Sequence, residues 1–177
     1  MITLVLGGTR SGKSEVAEAL AAAAPPPVTY VATGVATDPD MAARIAAHRD
    51  RRPADWTTVE AGVGSSLPDA LGSLDGTVLV DSLGTWVAGL PELAPDTAGL
   101  AAALRARAGD TILVSEEVGL GVHAPTEAGR RFADSLGTLN RAVADLADEV
   151  LLVIAGRVLP LARPAVPVPP SPRSGGG

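Results

Sequence analysis

The 177-residue chain contains no cysteine. Disulfides, thiolate nucleophiles and cysteine metal centres are therefore excluded. Aromatic residues make up only 2%, too few for the stacking platforms that hold single-stranded nucleic acid. The net charge is −6, so no general positive field is available to neutralise duplex phosphates. Nucleic acid is not an expected partner. No apolar run approaches the roughly 20 residues of a membrane-spanning helix. No basic, apolar leader precedes the first strand-like run, which makes the cytoplasm the expected compartment. Lysine is also scarce: Lys13 is the only one among the 14 basic residues, and the other 13 are arginines.

That one lysine stands in the most informative stretch of the chain, Gly7-Gly8-Thr9-Arg10-Ser11-Gly12-Lys13-Ser14. The spacing is G-x-x-x-x-G-K-S, the phosphate-binding loop. Glycines let backbone N–H groups approach phosphate oxygens closely. Lys13 is placed to reach the β- and γ-phosphates, and the Ser14 hydroxyl to ligate Mg²⁺. The context agrees. Ile2–Leu6 reads as a buried strand before the loop. Glu15–Leu20 reads as the helix after it, whose N-terminal dipole adds to an anion site.

Short apolar runs alternate with helical patterns, which predicts an α/β fold with a mostly parallel sheet flanked by helices. The candidate strands are Ile2–Leu6, Val28–Ala32, Thr57–Glu60, Thr77–Val80, Thr111–Val114 and Val150–Ile154. The clearest helix runs from about Thr126 to Ala147. There Phe132, Leu136, Leu139, Val143 and Leu146 form one apolar stripe, read as core packing. Hydrophobic residues amount to 46%, enough for one core. Residues 1–162 read as a single phosphate-loop domain. Arg163–Gly177 is rich in proline, serine and glycine and reads as a disordered tail.

A second candidate site lies after the second strand. Asp38 suits a helix N-cap and Pro39 the first helical position. The helix then runs through Met41, Arg44, Ile45, His48, Arg49, Asp50, Arg51 and Arg52, and Pro53 stops it. Arg44 and His48 are four apart and share a face. In an acidic protein, four arginines around one of two histidines make a local anion site. Like charges disfavour the imidazolium, and a neutral imidazole is a nucleophile. A solvated helix face is the plain alternative. His123 falls in a loop and reads as a surface residue.

Acids mark the strand ends. Asp81 ends an apolar strand, where a second Mg²⁺-site partner stands in phosphate-loop proteins. Glu116 and Glu117 repeat the pattern one strand later, at the mouth of the same sheet. One of them is placed to orient a substrate hydroxyl or to act as base.

Together these segments resemble the family of bifunctional adenosylcobinamide kinase / adenosylcobinamide-phosphate guanylyltransferases of cobalamin assembly. The resemblance rests on Leu6–Ser14, Tyr30–Thr33, Asp40–Trp56, Val80–Val87 and Val114–Leu139. The last includes Val118-Gly119-Leu120-Gly121 and Arg130-Arg131-Phe132. It covers about residues 1–161. It implies phosphorylation of the aminopropanol hydroxyl of adenosylcobinamide, then transfer of GMP from GTP through a guanylylated histidine. The matching position is His48. By the same match, GTP or ATP would be held by Gly7, Gly8, Thr9, Arg10, Ser11, Gly12, Lys13 and Ser14. Further contacts would come from Val31, Ala32, Thr33, Arg49, Asp50, Arg51, Arg52, Glu60 and Asp81. Mg²⁺ would sit between Ser14 and Asp81. The resemblance also implies a corrinoid substrate and a homo-oligomer, such as a trimer. One departure concerns the mouth of the sheet: many relatives have Asn-Glu where this chain has Glu116-Glu117. Two rival readings fit part of the sequence. Another phosphate-loop small-molecule kinase accounts for Lys13, Ser14 and Asp81 but leaves His48 unexplained. A GTP-dependent switch would carry an Asn-Lys-x-Asp motif, which a chain whose only lysine is Lys13 cannot form.

Overall fold

The computed structural model describes residues 1–34, 52–61, 66–121 and 124–163. The helix expected over residues 38–52 lies outside the described residues except for Arg52, so His48, Arg49, Asp50 and Arg51 have no structural account. His123 and the tail from residue 164 also lie outside.

Within the described residues the chain forms one seven-stranded sheet. The strands are β1 (Ile2–Gly7), β2 (Val28–Ala32), β3 (Thr57–Glu60), β4 (Thr77–Asp81), β5 (Thr111–Glu116), β6 (Glu149–Ile154) and β7 (Arg157–Pro160). Their spatial order is β3-β2-β4-β5-β1-β6-β7. The first six are mutually parallel, and β7 pairs antiparallel with β6. The apolar runs of β1, β4 and β5 are continuous because both faces of the sheet are covered. Leu4, Val5, Val78, Leu79, Val80, Leu113 and Val114 are all fully buried.

The helices are α1 (Lys13–Ala23), α2 (Leu67–Gly72), α3 (Leu83–Ala88), α4 (Thr97–Ala106) and α5 (Glu127–Ala144). One face of the sheet packs on α1 through Ala17 and Ala21. The other packs on α2 to α5 through Leu67, Leu71, Leu83, Trp86, Leu100, Leu104, Leu136, Leu139 and Val143. Among the described residues, four of these five α-helices start on a side-chain cap: Ser66, Ser82, Asp96 and Thr126 each accept a first-turn backbone N–H. Helix α1 does not. It starts after Gly12, and no side chain caps it.

The expected strands are all present, and of the expected stripe Phe132, Leu136, Leu139 and Val143 lie on α5, with Leu146 just beyond its end. Helix α5 stops at Ala144, three residues before the expected end; past it Val143 O accepts from both Leu146 N–H (3.0 Å) and Ala147 N–H (2.9 Å), which closes the last turn. Strand β7 was not expected. Ala155 and Gly156, with φ of 49° and 70°, form the two-residue turn that folds it back on β6.

Parallel pairing sets the carboxyl ends of β1 to β6 along one edge. Gly7 is level with Glu116, Ala32 with Asp81, and Ala32 also with Glu60. Ligands of open α/β sheets bind outside this edge.

Candidate active site

The loop after β1 is built for close backbone approach. A Cβ on Gly7 would collide with Ser11 Oγ and lie 2.8 Å from Val153 O. Arg10 and Gly12 adopt left-handed backbone, with φ of 57° and 94°. At Gly12 that conformation and a 3.3 Å approach to Gly156 Cα both favour glycine. Ser11 N–H donates to Gly8 O (3.3 Å), and Gly156 N–H donates to Ser11 O (2.8 Å), which pins the loop to the turn after β6.

Two observations fit this loop to a phosphate chain. Helix α1 opens onto it without a side-chain cap, so its dipole and first N–H groups face the loop. Ser11 Oγ is buried with no hydrogen-bond partner among the described residues. Leaving such a hydroxyl unpaired costs about 1–3 kcal/mol, and a phosphate oxygen would supply the missing partner. Lys13 is tucked in beside it. Its Nζ donates to Gly8 O at 3.4 Å and lies 3.6 Å from Glu116 Oε1.

Asp81 closes the site from β4. Tyr30 Oη, reaching across from β2, donates to Asp81 Oδ2 at 3.1 Å. Burial first, and then the Asp81 charge, push the Tyr30 phenol well above its ordinary pKa, while Arg52 pulls the other way. The phenol therefore stays protonated and remains a donor to Asp81. The guanidinium of Arg52 stacks on the Tyr30 ring, 3.3 Å from its centroid. Its Nη1 donates to Thr58 Oγ1 at 3.3 Å, while its Nε is buried without a partner among the described residues. Arg52 thus joins the carboxylate edge through Tyr30. Ser14 and Asp81 offer a hydroxyl and a carboxylate, the hard oxygen donors that suit Mg²⁺. No cluster of three His, Cys, Asp or Glu occurs among the described residues. A cation here would draw its other ligands from phosphate and water, as Mg²⁺ commonly does.

The remaining expected residues differ in reach. Val31 is fully buried within the sheet. Thr33 ties strand ends together: its Oγ1 donates to Ser82 O (2.6 Å) and accepts from Ser82 N–H (2.8 Å). Ala32 is half-buried and Glu60 is exposed, each ending its strand at the same edge. Sequence reading missed the Tyr30–Asp81 and Ser82–Glu116 contacts. They bridge 51 and 34 residues of chain, and no local pattern marks such pairs. The single tyrosine of the chain was the only available signal.

A groove of about 900 Å³ runs beside α5. Leu6, Glu117, Val118 and Gly119 line the end next to the phosphate loop, and Phe132, Ala133, Gly137 and Ala144 line its helix wall. Arg130, Arg141 and Arg163 add charge along it. Phe132, read from sequence as core, packs half-buried against the core and also lines this wall. No helix among the described residues is long and apolar enough to cross a membrane.

Comparison with known proteins agrees with this geometry. A solved ATPase from the type III secretion system of pathogenic bacteria superposes with a TM-score of 0.53 at 10% identity. The match covers 85% of this chain and 50% of that one, a likeness of fold. The bifunctional adenosylcobalamin biosynthesis protein CobP of Pseudomonas aeruginosa is 40% identical over 168 residues, 91% of this chain and 97% of that protein. The Salmonella typhimurium protein of the same description, CobU, is 37% identical over 88% of this chain and 97% of its own length. The family profile described as cobinamide kinase / cobinamide phosphate guanyltransferase matches residues 3–161. With a phosphate loop, an acid-ended β4 and near-complete coverage by these relatives, the chain belongs to the cobinamide kinase / cobinamide phosphate guanyltransferase family.

Proposed function

We propose that this protein phosphorylates the aminopropanol hydroxyl of adenosylcobinamide, with ATP or GTP as donor, and then transfers GMP from GTP to that phosphate. The product is adenosylcobinamide-GDP. The observation that carries the reading is the convergence of the phosphate loop, Asp81 and Arg52 on one sheet edge. Arg52 is covalently four residues from His48, so chain length alone keeps their Cα atoms within roughly 14 Å.

In the first reaction, the loop N–H groups and Lys13 would hold the β- and γ-phosphates. Ser14 and Asp81 would hold Mg²⁺, which when bound neutralises charge developing on the phosphate oxygens. Tyr30 would keep Asp81 oriented by its hydrogen bond. In the second, the neutral imidazole of His48 would attack the α-phosphorus of GTP. A P–N bond forms, the α–β bridging P–O bond breaks, and pyrophosphate leaves. A phosphate oxygen of the corrinoid would then attack the same phosphorus, form the pyrophosphate linkage and break the P–N bond. Splitting one difficult transfer into two displacements is the benefit of a covalent intermediate. Arg49, Arg51 and Arg52 would stabilise phosphate charge in both steps.

The groove beside α5 is the best candidate to seat the corrin ring. Its volume lies within the ~300–1,000 Å³ of small-molecule sites, and one end meets Glu117, whose N–H donates to Gly7 O at 3.1 Å. An assembly of identical copies, such as a trimer, belongs to the same reading. Exposed Ile154, Val158, Leu159 and Leu161 along the β6–β7 hairpin support it. The test is incubation of the purified chain with adenosylcobinamide, Mg²⁺ and ATP or GTP, with products resolved by mass. The reading expects the phosphate first and the GDP ester once GTP is present. Hydrolysis of nucleotide with the corrinoid unchanged would refute it.

A further inference from the structure

Two adjacent acids end β5, and their side chains do different things. Glu117 accepts the Gly119 N–H on its own loop at 2.5 Å and lines the groove. Glu116 turns to the phosphate loop. Both of its carboxylate oxygens accept from Ser82 Oγ, at 3.0 and 3.1 Å, and Oε1 lies 3.6 Å from Lys13 Nζ. A Cβ on Gly84 would collide with Oε2, so a glycine there makes room for the carboxylate. The backbone is fixed as well. Asn140 Nδ2 donates to Glu116 O at 3.0 Å, and Asn140 Oδ1 accepts from buried Ser115 Oγ at 2.6 Å.

This placement asks for a role. When nucleotide binds, Lys13 serves the β- and γ-phosphates, and the carboxylate 3.6 Å from its ammonium then faces the terminal phosphate. An anion held there repels phosphate unless a proton-bearing group stands between them. The acceptor hydroxyl of the kinase reaction is such a group. We propose that Glu116 is a catalytic residue of the phosphoryl-transfer step: it accepts the hydrogen bond of the attacking hydroxyl and takes its proton. The hydroxyl oxygen forms a bond to the γ-phosphorus, the bond to the β–γ bridging oxygen breaks, and nucleoside diphosphate leaves. The proton ends on the Glu116 carboxylate. Ser82 is a positioning residue that aims it. An amide at the same place can accept the hydrogen bond but not the proton. Guanylyl transfer has no use for this carboxylate, because its attacking groups are an imidazole and an already ionised phosphate.

The assignment rests on the kinase half of the function proposed above. Its test measures both reactions separately in the full-length chain, with thermal melts as a check on folding. Adenosylcobinamide is the substrate for one assay and preformed adenosylcobinamide phosphate for the other. Phosphoryl-transfer transition states are loose and carry little proton transfer, so the gain from a base falls toward or below the lower end of the usual ~10²–10⁴. Glu116→Gln should lower kcat for phosphorylation about tenfold or more, with KM for nucleotide changed less than about threefold. Glu116→Leu, which also loses the hydrogen bond, should lower kcat by roughly a further tenfold. Both variants should keep guanylyl transfer within about threefold of wild type. Wild-type rates in Glu116→Gln, or equal loss of both reactions, would overturn the assignment alone. A wild-type chain that transfers GMP but never phosphorylates adenosylcobinamide would overturn the kinase reading, and this assignment with it. Should Glu116→Leu fail to fold, the isosteric Gln variant still decides.

Discussion

Replacing Lys13 with alanine separates a binding residue from a structural one. Among the described residues its ammonium meets Gly8 O at 3.4 Å and Glu116 Oε1 at 3.6 Å. The ion pair is partly exposed, with side-chain exposures of 12% and 29%. Such pairs contribute about 0–1 kcal/mol, which moves the melting temperature of a domain this size by no more than ~4 °C. With nucleotide the arithmetic differs. A hydrogen bond to a charged group is worth about 1.5–3 kcal/mol. Losing it weakens binding roughly 10- to 150-fold, since each 1.4 kcal/mol is a factor of ten. No other lysine exists to substitute, because Lys13 is the only one. Titration calorimetry with GTP and Mg²⁺ should show that loss, and thermal unfolding should show a nearly unchanged midpoint. Nucleotide affinity within threefold of wild type would refute the phosphate-loop assignment. A melting point lowered by more than about 10 °C would instead refute the small stability term.

The other predictions follow from the same edge and from the core. If Ser14 and Asp81 hold Mg²⁺ as proposed, Ser14→Ala, which removes an oxygen donor, and Asp81→Asn, which removes the negative charge, should each raise the Mg²⁺ concentration for half-maximal activity about tenfold or more; unchanged Mg²⁺ titrations in both would count against the pair. Burial and the Asp81 charge raise the pKa of the Tyr30 phenol above its ordinary value in the fold, so its neutral form stabilises the native state. That contribution is complete below pH ~10 and is lost as pH rises beyond it. Because the chain has one tyrosine, tyrosinate absorbance should appear only together with unfolding, and Tyr30→Phe should remove this part of the alkaline destabilisation. Reversible ionisation near pH 10 in the folded protein would contradict the burial and the Asp81 contact. Leu139→Ala, at a fully buried position between α5 and the sheet, should cost about 2–5 kcal/mol in urea unfolding; a loss under 1 kcal/mol would show that α5 packs loosely.

Legibility in the sequence followed the range of the interactions. Strands β1, β2, β4 and β5 were readable because runs such as Thr77–Val80 and Thr111–Val114 are buried on both faces and carry no alternation, whereas β3 is largely exposed and β6 only partly buried. The phosphate loop was readable because all its chemistry is contiguous, from Gly7 to Ser14. Strand β7 was not. Arg157, Val158, Leu159 and Pro160 are all exposed, so no buried pattern announces them, and the turn depends on Ala155 taking a left-handed conformation that its residue type does not favour. The short helix α2 has six residues, too few for a 3.6-residue period to show. In the site, Asp81 was legible as an acid ending a strand, but its orientation by Tyr30 was not. Glu116 and Glu117 were indistinguishable in sequence. Gly84 and Ser82, which place one of them against Lys13, lie on a different strand-to-helix junction.

The proposed covalent transfer of GMP through His48 is open to intact-mass measurement. The protein is incubated with GTP and Mg²⁺ in the absence of corrinoid. The account predicts a mass increase of one guanylyl group. A phosphoramidate should be lost in acid and persist in alkali, and transfer to adenosylcobinamide phosphate should release it. His48→Ala should abolish the adduct and GMP transfer while leaving phosphorylation of adenosylcobinamide measurable, and His123→Ala should keep both reactions. An adduct that persists in His48→Ala, or that maps to another residue, would contradict the account.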